Sequence, residues 1–199
     1  MGFLAAGWTF WIGIAGWIIL LVFSLWGIGQ LAIHFYVKFF LLKRYQPGAT
    51  SEAVVILPSV NWKNLIAWIR PNYDIDDVKV VIAHATRNGK KVSVYNGPDP
   101  ETVERLMRDT AVREVYFLGH GGTDFFRLGT EEVLCYSVFN DPAKYGKDFV
   151  HQVHCGSARG KSLIHSIVPE KNWLKCFFHP DKINSYFVEK EFKRLSELI

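Results

Sequence analysis

A long apolar segment without charged residues opens the chain and constrains its structure more than any other feature. Residues 1–37 contain no Asp, Glu, Lys or Arg. This run is longer than the roughly 20 residues that an α-helix needs to cross a bilayer. Its tryptophans are amphipathic side chains of the kind that collect at membrane interfaces, and they are Trp8, Trp11, Trp17 and Trp26. We therefore predict that residues 1–43 form an anchor unit that contacts the membrane through residues 4–42.

Basic residues follow the apolar run, namely Lys38, Lys43 and Arg44. Because the cytoplasmic flanks of membrane helices carry an excess of Lys and Arg, we predict that the following domain is cytoplasmic. A single crossing is favoured, and a hairpin that bends near residues 27–29 is the alternative. A signal peptide is disfavoured because no basic segment precedes the apolar run and no clear small-residue cleavage site ends it. Residues 44–52, which contain a Pro-Gly pair, are predicted to be a linker.

The remaining residues, 53–199, are numerous enough for one domain with a hydrophobic core. The chain has a formal net charge of +4 and no basic stripe interleaved with aromatics, so nucleic-acid binding is not expected. Its three cysteines, Cys135, Cys155 and Cys176, are odd in number and widely spaced, which is typical of a reducing compartment rather than of a disulfide framework. The sequence implies no cofactor, and it is compatible with a homo-oligomer.

The pattern of the domain alternates between strands and helices. Strands are predicted at residues 53–58, 91–95, 114–118, 149–154 and 174–178, helices at 62–70, 75–88, 100–109, 159–168 and 184–198, and a hairpin at 124–128 and 133–139. A strand at 78–83 is the alternative to the second helix. This order predicts an α/β fold, a doubly wound and mostly parallel sheet with helices on both faces.

His120 and Cys155 each follow a predicted strand directly. Functional groups in such sheets lie beyond the carboxyl ends of the strands, so neighbouring strands would bring these two side chains to one edge. A free thiol has a pKa near 8.5 and is mostly protonated at neutral pH. An imidazole within hydrogen-bond reach takes up the thiol proton and later protonates the leaving group. The two residues are therefore predicted to be catalytic.

The glycines beside them are predicted to complete the site. Gly121 and Gly122 leave space next to the imidazole, and their amide groups, with that of Cys155, are candidates for binding an oxyanion. A helix that begins near residues 157–159 would point its positive end at the thiolate.

These motifs, a strand followed by Gly119-His-Gly-Gly122, a hairpin, and a strand followed by His154-Cys-Gly-Ser-Ala-Arg-Gly160, resemble the caspase-like superfamily of cysteine peptidases. In that superfamily the catalytic His lies in a His-Gly motif after one strand, and the catalytic Cys follows the next core strand. The resemblance covers about residues 53–180. It implies a three-layer αβα sandwich, a cysteine endopeptidase with a His120–Cys155 dyad, and protein or peptide substrates near the membrane.

Three further residues are candidates for contacting the substrate or the catalytic groups. His154 alternates with Cys155 along its strand and is predicted to point away from the thiol, in a structural role. Asp124 is a candidate for facing a basic substrate residue and Arg159 for facing an acidic one. No metal site is predicted, because the spacing of His120, His151, His154 and Cys155 matches no familiar ligand pattern.

Two alternative functions remain open. The first is a catalytically silent caspase-like module that serves as a membrane-tethered scaffold or sensor. The second is phosphate or nucleotide binding through Gly156–Ser162, which resembles a phosphate-binding loop although only three residues separate its glycines.

Overall fold

The structure is a computed structural model that describes residues 2–47, 51–59, 73–129, 132–159, 162–181 and 183–198. The chain divides into two compact units, Met1–Lys43 and Arg44–Ile199. The predicted helix at 62–70 lies outside the described residues.

The N-terminal unit is helical. Helix α1 spans Gly2–Tyr36, continues as a π-helical turn over Val37–Leu41, and is followed by a short helical segment at Leu42–Arg44. Within α1, Trp11–Ile33 is long and apolar enough to cross a membrane, with a mean hydropathy of 2.1 and no burial inside the protein. The helix runs unbroken through residues 27–29, so this unit forms one helix and not a hairpin. Its orientation in a membrane stays a prediction.

The second unit has an α/β fold around four parallel strands. They are β1 (Ala53–Leu57), β2 (Val92–Asn96), β3 (Glu114–Leu118) and, later in the chain, β6 (Phe149–Val153), and their order in the sheet is β2-β1-β3-β6. All five residues of β1 are fully buried, as expected for a central strand that is covered on both faces. These strand predictions are confirmed to within one residue at each end.

Among the described residues, two helices lie between the first three strands, and local sequence signals determine where each begins. Helix α2 spans Ile75–Ala85 and is capped by Asp74, whose carboxylate accepts the amide of Asp76. Its final predicted turn is instead a 3₁₀-helix at Arg87–Gly89. Helix α3 spans Pro100–Arg108, with Asp99 as its N-cap. The helix at 75–85 shows that the alternative strand at 78–83 is wrong.

A hairpin interrupts the alternation between β3 and β6, as predicted. Strands β4 (Phe125–Arg127) and β5 (Val133–Cys135) pair antiparallel, and a 3₁₀-helix at Tyr136–Phe139 follows. A short helix, α4 (Pro142–Tyr145), leads into β6.

Two predictions after β6 need correction. The helix predicted at 159–168 is present but shorter, as α5 (Leu163–Ile167), with Ser162 as its N-cap, so its predicted bounds are too wide. The predicted strand at 174–178 is a 3₁₀-helix (Glu170–Lys175) followed by irregular chain. Phe177 still covers the edge of β6, since its carbonyl accepts the amide of Gln152 at 2.7 Å, but its own N–H donates to a side chain, so no ladder continues. The final helix, α6 (Ser185–Glu197), is confirmed.

The two faces of the sheet contact different helices. Alternate residues of β1, β3 and β6 belong to one apolar cluster with α3, α5 and the hairpin, and they are Val54, Ile56, Val115, Phe117 and Val150. On the opposite face, rings of β3 and β6 contact α2 and α6 through His84 and Phe192. This packing leaves the carboxyl edge of the sheet as the place where loops meet.

Candidate active site

Strands β3 and β6 are neighbours in the sheet. His120 and Cys155, which follow these strands, therefore lie at the same edge of the sheet. The two strands pair in parallel, with Leu118 opposite Val153. His120 and Cys155 each lie two residues beyond this last pair. Both residues line the same cavity, which has a volume of about 160 Å³.

The remaining lining of this cavity comes from the sheet edge, from α2 and from the segment before α6. It consists of Tyr73, Asp74, Asp77, Leu118, Gly119, Val153 and Ile183. Cys155 is partly buried, whereas His120 is exposed. A thiol and an imidazole in one small cavity form the minimal equipment for nucleophilic catalysis.

A glycine sets the direction of the chain between β3 and His120. Gly119 has a φ of 152°, a value that side chains disfavour and glycine adopts readily. Its amide donates to the carbonyl of Val153 at 3.3 Å, which ties the end of β3 to β6. The strand ending therefore positions His120 beside the neighbouring strand.

The two glycines after His120 do not both behave as predicted, since Gly122 lacks a free amide and Gly121 lacks free space beside it. The amide of Gly122 donates to the carbonyl of Phe125 at 2.9 Å, so it is not available to an oxyanion. A Cβ on Gly121 would lie 2.7 Å from His154 Nδ1 and 2.7 Å from the Phe125 carbonyl oxygen. The space beside Gly121 is therefore filled by protein. Within the described residues, the amides of Gly121 and Cys155 donate to no protein acceptor.

His154 is a buried residue of the core and does not contact solvent. It is 0% exposed, and its Nε2 lies 2.8 Å from the Tyr136 hydroxyl. Its Nδ1 lies 3.4 Å from the Cys155 carbonyl oxygen. Nδ1 therefore donates to that carbonyl and Nε2 accepts from Tyr136. Burial lowers the pKa of His154 to about 4, so the ring is neutral at physiological pH and is not accessible to a substrate.

The loop after Cys155 is held by the segment before α6. The amides of Gly156 and Ala158 donate to the carbonyls of Asp181 and His179, and that of Arg159 donates back to Gly156. These amides are not available to a phosphate group, so the loop lacks donors that the phosphate-binding hypothesis requires. Gly160 and Lys161 lie outside the described residues. Helix α5 begins at Leu163 and not near residues 157–159 as predicted.

The two predicted specificity residues do not line the cavity. Arg159 donates to the carbonyl of Pro180 and pairs with Asp181 at 3.5 Å. Asp124 is exposed, and its carbonyl accepts the amide of Tyr136 at 2.7 Å.

Asp77 is a functional candidate that sequence reasoning missed. It lines the cavity with His120 and Cys155, and its Oδ1 is buried without a hydrogen-bond partner in the described part of the chain. Burial is the main cause that raises its pKa to about 6; the Ser185 hydroxyl lowers it, and the charges of Asp74 and Asp76 add to the rise. In the sequence, Asp77 is indistinguishable from the acidic residues that favour a helix N-terminus.

A second cluster of ionisable groups lies under α2 and α6, at His84, Glu114 and His151. The backbone N–H of Phe177 donates to His151 Nδ1 at 3.1 Å. The proton of the neutral ring is therefore on Nε2, which donates to Glu114 Oε1 at 3.0 Å. A ring nitrogen that carries a proton has no lone pair for a metal. In this state the cluster is a hydrogen-bond network centred on Glu114.

Searches against protein-family models, curated proteins and solved structures find no match to this chain, so its candidate site is interpreted from its own residues.

Proposed function

We propose that this protein is a membrane-anchored cysteine endopeptidase of the caspase-like type. The observation that carries the proposal is the cavity that His120 and Cys155 both line, at the carboxyl edge of two adjacent parallel strands. The order of a His-Gly strand, a hairpin and a Cys strand around a parallel sheet supports the caspase-like arrangement, including three layers. Helix α1 supports the membrane anchor.

In the proposed mechanism the imidazole of His120 takes the proton of the Cys155 thiol. The sulfur then attacks the scissile carbonyl carbon and forms a tetrahedral intermediate. The amides of Gly121 and Cys155, which have no protein acceptor among the described residues, bind its oxyanion. The imidazolium protonates the leaving amine as the C–N bond breaks, and water hydrolyses the resulting thioester with the same base.

The anchor limits the choice of substrates. With the basic residues after α1 on the cytoplasmic side, the catalytic domain meets cytoplasmic proteins that lie close to the membrane. Tethering raises the effective concentration of such substrates without a new contact.

A silent scaffold module is the second candidate, and one observation favours it. The Gly122 amide is used within the protein and the space beside Gly121 is filled, so fewer groups face a reacting carbonyl than an active site usually provides. In this alternative the cavity binds a partner without turnover.

The test is the alkylation rate of Cys155 by iodoacetamide as a function of pH, in the full-length protein in nanodiscs. Mass spectrometry of the Cys155 peptide distinguishes this thiol from Cys135 and Cys176. We expect wild-type reactivity well below pH 8 and a loss of about 10-fold or more at pH 7 in His120→Ala, since an unpaired thiol is only a few per cent thiolate there.

The matched control is Asp124→Ala, which changes an exposed neighbour that does not line the cavity. It should react like the wild type. A slow thiol with an ordinary pH profile, indifferent to His120→Ala, would refute the dyad and favour the scaffold module.

A further inference from the structure

The backbone pairing that aligns β3 with β6 ends before either catalytic candidate. The last pair of the ladder is Leu118 and Val153, and the amide of Gly119 adds one bond to the Val153 carbonyl. His120 and Cys155 therefore lie on loops, beyond the pairing that fixes one strand against the other. A proton passes between two side chains only within hydrogen-bond reach, so the relative position of these two loops matters for the dyad.

Thr123 connects the two loops through its side chain. Its hydroxyl donates to the carbonyl of Gly156 at 2.8 Å, although the two residues are 33 positions apart in the chain. Thr123 follows His120 in the same loop, and Gly156 follows Cys155 directly. Each partner of this hydrogen bond thus belongs to the loop of one catalytic candidate.

The loop that contains Thr123 is fixed on β4. The amide of Gly122 donates to the carbonyl of Phe125 at 2.9 Å, and the carbonyl of His120 accepts the amide of Arg127 at 2.9 Å. These two bonds lie on either side of the turn and leave its backbone little freedom. The Thr123 hydroxyl is therefore presented from a defined position.

Gly156 is held at two points. Its φ of 67° lies in the left-handed region that glycine adopts readily. Its amide donates to the carbonyl of Asp181 at 3.1 Å, and its own carbonyl accepts the Thr123 hydroxyl. The bond to Asp181 fixes this loop on the segment before α6, whereas the bond to Thr123 fixes it relative to the loop of His120. The second bond is the one that bears on the distance between imidazole and thiol.

Resting on the proposed function, we propose that Thr123 is a positioning residue that keeps Cys155 within proton-transfer reach of His120. It acts through the Gly156 carbonyl and touches neither the substrate nor the reacting atoms. A catalytic pair is effective only while its supporting contacts hold the productive geometry. Without the hydroxyl, the two loops lose a direct connection, and the thiol reverts toward its ordinary protonated state.

The experiment measures iodoacetamide alkylation of Cys155 against pH, by mass spectrometry of the full-length protein in nanodiscs. Thr123→Val keeps the size and branching of the side chain but removes the donor. We expect it to slow alkylation about 10-fold at pH 7 and to move the pH profile toward that of an ordinary thiol. Thr123→Ser keeps the hydroxyl and should stay within about 2-fold of wild type. If Thr123→Val does not fold, Thr123→Ala removes the same donor without a branched side chain.

Two controls separate positioning from a general effect on the fold. Thr110→Val makes the same substitution at an exposed residue outside the lining of this cavity, and it should react like the wild type. In a His120→Ala background, Thr123→Val should slow alkylation no further, because the hydroxyl acts through the His120–Cys155 pair. Equal slowing in both backgrounds would mean that the two residues act independently, and it would overturn the positioning role.

Hydrogen exchange gives a readout that does not depend on thiol chemistry. The peptide that covers residues 153–159 should exchange about 10-fold faster in Thr123→Val than in wild type, Thr123→Ser or Thr110→Val. The peptide that covers β1 should exchange equally in all four proteins, which shows that the domain remains folded.

The outcomes distinguish this inference from the proposed function. Wild-type alkylation that depends on His120, together with an unchanged rate in Thr123→Val, would overturn the positioning role and leave the dyad standing. A wild-type thiol that is slow and indifferent to His120→Ala would overturn the proposed function, and the positioning role with it.

Discussion

The two histidine-containing clusters of this domain share residue types but differ in how completely their polar groups are paired. In the network under α2 and α6, three donors converge on the carboxylate of Glu114, from Lys90, Tyr116 and His151. In the cavity at the sheet edge, a carboxylate oxygen of Asp77 has no such donor within the described chain. Paired groups hold a core together, whereas a buried carboxylate oxygen without a donor makes the charged form of its residue less favourable.

The direction of each bond in the network follows from its neighbours. Because Tyr116 donates its proton to Glu114, its oxygen accepts from His84 Nδ1 at 2.8 Å. Burial by itself raises the pKa of Glu114, but the hydrogen bonds from His151, Lys90 and Tyr116 outweigh it and hold the pKa below its ordinary value. The carboxylate is thus the acceptor on which the whole network depends.

Removal of that acceptor is the largest perturbation that we predict. Glu114→Ala leaves the donors of Lys90, Tyr116 and His151 without an acceptor inside the protein, and it should cost about 3–5 kcal/mol of unfolding free energy. Denaturant unfolding of the full-length protein measures this loss. Glu101→Ala, at an exposed position in the first turn of α3, should change stability by about 0.5 kcal/mol or less. Similar effects of the two variants would show that the network is not a stabilising unit.

Acid should destabilise the domain through two buried histidines, one in the network and one next to Cys155 at the sheet edge. Burial lowers the pKa of His84 to about 3 and that of His154 to about 4, from 6.5. A depressed histidine pKa means that the unfolded chain binds more protons between these values, so stability is present above pH 6.5 and is lost as pH falls toward 4 and 3.

Protonation of Asp77 stabilises the folded state as pH falls from 6 to 3.8. Its effect should be smaller than that of the two histidines, because Asp77 is partly exposed and both imidazole rings are buried. We expect the melting temperature of the full-length protein to fall steadily below pH 6.5. A melting temperature that stays constant from pH 7 to pH 4.5 would contradict the buried, neutral state of His84 and His154.

Gly121→Ala should have an intermediate effect, because it tests the packing of the loop after β3 against His154 and Phe125. The new Cβ would lie 2.7 Å from the Phe125 carbonyl and 2.7 Å from His154 Nδ1. The carbonyl belongs to the backbone and cannot rotate away, so we expect a loss of about 1–3 kcal/mol, as for other overpacked sites. Thermal unfolding measures it. An unchanged melting temperature would show that the loop after β3 adjusts freely.

His120→Ala should have the smallest effect on stability and the largest on thiol chemistry. The ring is exposed, so its removal should change the unfolding free energy by about 0.5 kcal/mol or less, while alkylation of Cys155 slows. His154→Phe should have the larger effect on stability and the smaller effect on alkylation of Cys155, since it removes the contacts to Tyr136 and the Cys155 carbonyl. If both variants lowered stability equally, the distinction between a core histidine and a cavity histidine would fail.

The regular elements of the domain were predictable because their signals are local. The uninterrupted apolar run at 53–57 indicated a buried strand, and the Asp99-Pro100 pair indicated where α3 begins. The segment at 174–178 was not predictable, because its short apolar run resembles a strand. The segment is not a strand because a side chain distant in the sequence takes one of its donors. His151 accepts the Phe177 N–H that a β-ladder would have used.

The sequence by itself determined the long apolar N-terminal helix, the alternation that makes the sheet parallel, and the placement of His120 and Cys155 at strand ends, because periodicity and chain order are properties of the linear chain. Only the tertiary structure decided which strands are neighbours, which glycine amides are already used, and which of the acids at the start of α2 line the cavity. Burial and hydrogen-bond pairing depend on groups that are distant in the chain, so no local pattern contains them.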